Sequence, residues 1–219
     1  MRVIDQSWKW GSGVPDGKAI LKIIEAAGRT CYKSEDKATE ESAEDFVGGI
    51  IKRGHESVLE HCSLGVRIIT DRGVSHEIVR HRLASYSQES TRYCDYGKKG
   101  EVVFIRPVWV EQGEWEDHFP GTMGRLLMPA EIWHAACEES ERLYLNLITA
   151  GWLPQQARTV LNNSLKTELV MTANIREWRH FFRLRASKAA HPQMRELALS
   201  MLKGFKEAVP VVFEDIKEG

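Results

Sequence analysis

A chain of 219 residues, 42% hydrophobic and 28% charged, is long enough to bury one sizeable core and has the composition of an ordinary globular protein. Its net charge of −1 and sequence pI of about 6.7 exclude a broad basic footprint for nucleic acid, so any anion site must come from local clustering. The four cysteines form no CxxC pair, the opening stretch MRVIDQSWKW has no apolar signal core, and no apolar run nears the roughly 18–20 residues of a membrane span. These features point to a cytoplasmic protein with reduced thiols.

In chain order, Val3-Ile4 begins a short strand. Residues 16–27 read as a helix with Ile20, Ile23, Ile24 and Ala27 on one stripe. A second helix is expected over 39–53, N-capped by Thr39, with Phe46, Val47, Ile50 and Ile51 as its apolar face and Lys52, Arg53 and Gly54 as stop signals. Leu64, Val66 and Ile68 alternate as in a strand that Asp71-Arg72-Gly73 breaks, and a helical turn or two over 74–82 follows. Residues 102–105 read as a strand. Residues 108–130, with Trp109 and Trp115, read as a long surface excursion.

Further on, residues 131–150 read as a long helix with Ile132, Ala136, Leu143, Leu147 and Ile148 on one side and Gly151 as its cap. Pro154 opens a helix through Leu161. Residues 169–173 form a strand, and Asn174 N-caps a helix with Glu177 in the reciprocal capping-box position. Pro192 opens a last helix striped by Met194, Leu197, Ala198, Met201 and Phe205. Helices outnumber strands in an irregular order, which gives an α+β fold rather than a βαβ repeat. No linker, repeat or low-complexity tract divides residues 1–219, so they are read as one domain.

Two stretches concentrate cations beside hydrogen-bonding groups. RHRLASYSQESTRY, 80–93, carries Arg80, His81, Arg82 and Arg92 with Gln88 and Ser90 between them. Arginine's planar fork matches phosphate and carboxylate oxygens, so this is either an anion cradle or a solvated cationic face. NIREWRHFFRLRAS, 174–187, places Trp178, Phe181, Phe182 and Arg185 on adjoining helical turns, with Asn174 and Arg176 at the end where free N–H groups favour anions. Its more usual reading is an amphipathic helix with aromatics in the core and arginines in water. A third stretch, HESVLEH at 55–61, lacks the i, i+4 pairing of helical metal ligands, and HEIVRH at 76–81 is one residue too long for the HExxH pattern. No metal is expected, and Ser57, Glu60 or His55 is read instead as pocket lining. No GxSxG, P-loop or GxGxxG motif is present, so catalysis would rest on positioning, charge stabilisation and a cofactor.

RHR, seven residues, then Ser90 resembles the signature of the flavin-dependent thymidylate synthases. HESVLEH, LPQQARTVLN and NIREWRHFFRLR resemble three further segments of that family in the same order, so that the likeness spans about residues 20–208. The resemblance implies an α+β fold with a central sheet flanked by helices and a homotetramer with shared active sites. It also implies reductive methylation of dUMP to dTMP by methylenetetrahydrofolate, with NADPH as reductant through FAD. It places Ser57, Arg80, His81, Arg82, Gln88, Asn174, Ile175, Arg176 and His180 on FAD. Glu77, Arg80, Gln88, Glu89, Ser90, Thr91, Arg92, Arg158 and Arg185 fall on dUMP-binding positions, and Arg185 on the catalytic arginine that activates the uracil.

Three positions depart from the family pattern or bear on it. Glu77 stands where glutamine is frequent and would repel phosphate or pair with Arg80, Gln88 replaces a frequent glutamate, and His180 stands where asparagine or histidine is expected. The rival readings are a nucleic-acid-binding module, which the net charge disfavours, and a homologue that binds nucleotide without turnover.

Overall fold

A computed structural model describes residues 1–114 and 128–219; Trp115 and the rest of 115–127, within the expected surface excursion, lie outside the described residues. The fold is mixed, with a sheet flanked by helices. Its strands are β1 (Arg2–Ile4), β2 (Ser7–Trp10), β3 (Ser63–Asp71), β4 (Ala84–Gln88), β5 (Val103–Ile105) and β6 (Lys166–Asn174). One sheet has the order β2-β3-β6-β4, and β1 pairs in parallel with β5, Arg2 against Val103 through Ile4 against Ile105. Strands β2 and β4 are additions to the sequence reading; in ASYSQ the side chains that alternate are small or polar, so no apolar period announces β4. Internal contacts fall into two compact units. The first is Met1–Ser7, Ile69–His76 and Gln88–Leu169, and the second is Trp8–Ile68, Glu77–Ser87 and Val170–Gly219.

The second unit holds helix α1 (Gly17–Tyr32). The Asp16 carboxylate caps it by accepting from the backbone N–H of Lys18 at 2.9 Å and of Ala19 at 3.2 Å. The helix runs past Ala27 to a left-handed Lys33, because Gly28 leaves room for the next helix: a Cβ there would lie 2.6 Å from the Phe46 ring. Helix α2 spans Ser42–Lys52 and does not begin at Thr39 as expected. The Ser42 hydroxyl accepts from Thr39 N and donates to the buried Glu25 carboxylate at 2.6 Å, which places the helix start at Ser42. Helices α6 (Ile175–Arg185), α7 (Pro192–Ala208) and α8 (Pro210–Phe213) complete the unit, and the whole expected stripe of α7 is buried. Trp178, Phe181, Phe182, Phe205 and Phe213 form a dry aromatic cluster, with Trp178 and Phe205 centroids 5.0 Å apart and Phe205 and Phe213 5.2 Å apart. Each such pair adds about 0.5–1.5 kcal/mol beyond its area burial.

In the first unit, α4 (Pro129–Thr149) and α5 (Pro154–Ala157) pack with β5 around Tyr96, Val102, Phe104, Cys137, Tyr144 and Leu165. The most buried side of α4 includes Cys137, Ser140 and Tyr144; of the expected stripe, Leu147 and Ile148 pack against this core while Ile132 and Ala136 are exposed. Two polar groups turn the helix this way. Ser140 Oγ donates to Val160 O at 2.8 Å, and Tyr144 Oη accepts from Tyr96 N at 3.3 Å. The helix expected through Leu161 gives way after Ala157 to a tighter turn, Arg158–Val160, and Leu161 is extended.

Helix α3 (Arg72–Ile78) has Arg72–His76 in the first unit and its last two residues in the second. Its start is fixed by Asp71 Oδ1, which accepts from Val74 N at 2.7 Å.

Candidate functional site

In the second unit, Asn174 ends β6 and opens α6, its Oδ1 accepting from Glu177 N at 2.8 Å. Only half of the expected capping box forms, because the Glu177 carboxylate turns to His81 Nδ1 at 3.0 Å. The other ring nitrogen, Nε2, accepts from Arg185 Nε at 3.1 Å. Arg185 Nη1 donates to Glu77 Oε2 at 2.8 Å and Nη2 to the Glu77 carbonyl at 3.1 Å. Glu77 therefore pairs with Arg185 and not with Arg80, which is exposed. Tyr86 Oη donates to the carbonyls of His81 at 2.7 Å and Ile78 at 2.9 Å, pinning the backbone that delivers the histidine; burial and the Glu177 charge push its phenol up to about 12.

A guanidinium N–H only donates, so His81 Nε2 holds a lone pair and Nδ1 carries the proton. Burial holds His81 below its usual pKa of 6.5, and the Arg185 charge adds to this against the pull of Glu177. Ligand atoms of His81, Glu177 and His180 lie within 4.8 Å of one another. Both His81 nitrogens are already engaged and a cation would sit beside Arg185, so the trio has the chemistry of a hydrogen-bond relay rather than of a metal centre.

Beside it opens a groove of about 490 Å³, lined by Asn174, Arg176, Glu177 and His180 together with Glu56, Glu60, Leu83 and Arg183. Arg176 meets Glu60 at 2.5 Å and Arg183 meets Glu56 at 2.8 Å. Burial raises the Glu56 carboxyl, but Arg183 and Arg179 outweigh it and hold the group below the usual range. Ser57, Arg80 and Arg82 are exposed. The Ile175 side chain is fully buried, and its N–H is taken by Cys62 O at 2.9 Å.

The other expected site residues lie in the first unit. Gln88 Nε2 donates to Ser75 Oγ and Thr167 Oγ1, both at 3.1 Å. Glu89 accepts from Lys166 Nζ at 2.7 Å and from Tyr96 Oη at 3.1 Å. Ser90 Oγ accepts from Arg92 N at 3.3 Å. Arg158 Nη1 donates to Thr91 Oγ1 at 3.0 Å, which ties Arg158 to the 88–92 segment. Arg92 stacks on the Tyr93 ring and donates to Gln155 Oε1 at 3.0 Å. Both arginines are exposed, with N–H groups left over for an anion. The sequence reading does not include Lys166 and Tyr96, which hold Glu89, or Glu177, which looks like a helix cap.

A family profile described as "Thymidylate synthase complementing protein" matches residues 18–211. The flavin-dependent thymidylate synthase of Geobacter sulfurreducens is 34% identical over 213 residues, covering 94% of this chain and 84% of that protein. Those of Corynebacterium aurimucosum (33% over 220 residues) and Mycolicibacterium vanbaalenii (34% over 226 residues) each match across 95% of this chain and 83% of their own length. Taken with the RHR segment and the engaged arginine it leads to, these matches identify the chain as a member of the flavin-dependent thymidylate synthase family of methyltransferases.

Proposed function

We propose that the protein converts dUMP to dTMP by reductive methylation, drawing the carbon from methylenetetrahydrofolate and reducing equivalents from NADPH through FAD. The observation that carries this reading is the family match across 18–211, within which Arg80-His81-Arg82 and Ser90 keep their spacing. Donors of the second unit suited to an anionic dinucleotide are Arg176, Arg183, His180 and Asn174, which line one groove with the carboxylates of Glu56, Glu60 and Glu177; the residues assigned to hold FAD are Ser57, Arg80, His81, Arg82, Asn174, Ile175, Arg176 and His180, with Gln88 from the first unit. FAD, when bound, supplies the redox capacity that no side chain has.

The chain's own residues bind and polarise. Arg92 and Arg158 with Ser90 form a fork for the dUMP phosphate, beside Gln88, Glu89 and Thr91. Arg185 cannot serve as a base, but held by Glu77 and His81 it stabilises negative charge on the pyrimidine and makes its C5 more nucleophilic. Burial pushes the Cys62 thiol up and the Cys137 thiol up to about 11, which suits neither to act as a nucleophile. We further read residues 1–219 as one functional domain of a cytoplasmic homotetramer. Among the described residues no helix is long and apolar enough to cross a membrane.

The test is the visible spectrum of protein incubated with FAD and desalted, taken before and after dUMP, followed by a turnover assay with methylenetetrahydrofolate and NADPH. Retained flavin whose absorption shifts with dUMP is expected. Folded protein that retains no flavin in either condition would overturn the reading.

A further inference from the structure

Glu177 sits in the first turn of α6, where Asn174 already caps the helix, so the turn itself does not need its carboxylate. The side chain is nevertheless 6% exposed and is aimed at an imidazole that is 3% exposed. A carboxylate buried this deeply requires a hydrogen-bonding partner, and that partner is His81 Nδ1.

The consequence passes through the ring. With the proton on Nδ1, Nε2 offers a lone pair to Arg185 Nε–H at 3.1 Å. With the proton on Nε2, two donors would face each other across that distance and Arg185 would be turned away from Glu77. The charged and titratable groups around the ring are Glu177, His180 and Arg185 on α6 and Tyr86 on β4. Of these, Glu177 is the group that lies at hydrogen-bond distance from Nδ1, where it accepts from the ring N–H. Tyr86 meanwhile fixes the His81 backbone, so the ring has one place to sit.

We propose that Glu177 is a positioning residue that sets the His81 tautomer and thereby the orientation of Arg185. Its bearing on the reaction rests on the role given to Arg185 above; the tautomer does not.

The test combines ring-nitrogen NMR of histidine-labelled protein, with His81 assigned by the His81→Gln variant, and steady-state dTMP formation at measured flavin content. Wild type should show His81 neutral and protonated at Nδ1. Glu177→Ala should lose that single tautomer and lower kcat per bound flavin about 10-fold or more, with KM for dUMP within about 3-fold. Glu177→Gln, whose amide oxygen still accepts from Nδ1, should restore the tautomer and recover much of kcat.

A wild-type ring protonated at Nε2 overturns the proposal. So does Glu177→Ala with its tautomer or kcat unchanged, or with activity lost only through lost flavin. If Glu177→Ala does not fold, Glu177→Gln decides, and its failure to keep the Nδ1 proton overturns the proposal. Wild type that forms no dTMP while His81 holds its proton on Nδ1 refutes the reaction and leaves the tautomer assignment standing.

Discussion

Arg185 is charged at any working pH, and its contacts with His81 and Glu77 are all donations. Truncating it leaves the Glu77 carboxylate half-buried and His81 Nε2 without its donor. Loss of one partner of such a desolvated pair costs on the order of 2–5 kcal/mol. Without its guanidinium to stabilise charge on the pyrimidine, Arg185→Ala should reduce kcat/KM for dTMP formation at least about 30-fold while flavin content stays normal. Near-normal turnover would remove Arg185 from the catalytic role. His81 gives a pH signature. Its pKa is depressed in the folded protein, so below about 6.5 the unfolded chain binds the extra proton first. The stability contributed by the neutral ring is then fully present above about pH 6.5 and is lost as pH falls through the folded value. Thermal unfolding of wild type and His81→Gln should show a larger gap at about pH 7.5 than at about pH 5.5. An equal gap at both would show that the ring is not held neutral.

At the scale of elements, α6 does two separate jobs. One side carries Glu177 and Arg185 toward His81, while Arg179 is wholly buried and ties the helix to the turn Glu56–His61 and to the segment after α8. Its guanidinium reaches Val212 O, both oxygens of Asp215, at 2.7 and 2.6 Å, and Glu56. Asp215 is raised by burial but pulled lower by Arg179, so its share of the network is present above the normal carboxylate range and fades as pH drops below it. Arg179→Met should destabilise the fold by about 2–4 kcal/mol in chemical denaturation, discounted because Asp215 is half exposed. A loss under about 1 kcal/mol would mean that solvent screens the network.

Elements differ in how far the sequence shows them. Asn174 and the α7 stripe are visible because cap and period act within one helix. Arg179 is not, since what buries it is Asp215, 36 residues on. The first half of the α4 face, Ile132 and Ala136, is misread for a related reason: Ser140 and Tyr144 face inward for hydrogen bonds that no hydropathy pattern encodes. Of the site, the arginines and the RHR spacing are legible because their chemistry is in the residue type. Glu177 is legible only as a cap, because its partner comes from a different element.

At the scale of the whole molecule, the family match runs through both compact units, so the proposed activity belongs to the complete chain rather than to either unit. The exposed Ile132 and Ala136 of α4 and the exposed Trp152 and Leu153 are apolar surface that a homotetramer would have reason to cover. Sedimentation of purified protein should give a species of four chains, each of 25.0 kDa. A monomer at working concentration would remove the shared-site arrangement from the proposal.

The pairing of β1 with β5 also sets a schedule for biosynthesis. Arg2–Ile4 leaves the ribosome about a hundred residues before Val103–Ile105 exists to receive it. At roughly 5–20 residues per second that is a wait of about 5–20 s. Phe213, which closes the aromatic cluster of the second unit, is made about a hundred residues later again. A nascent chain halted before Val103–Ile105 leaves β1 without its partner strand, and one halted before Phe213 leaves the aromatic cluster of the second unit open.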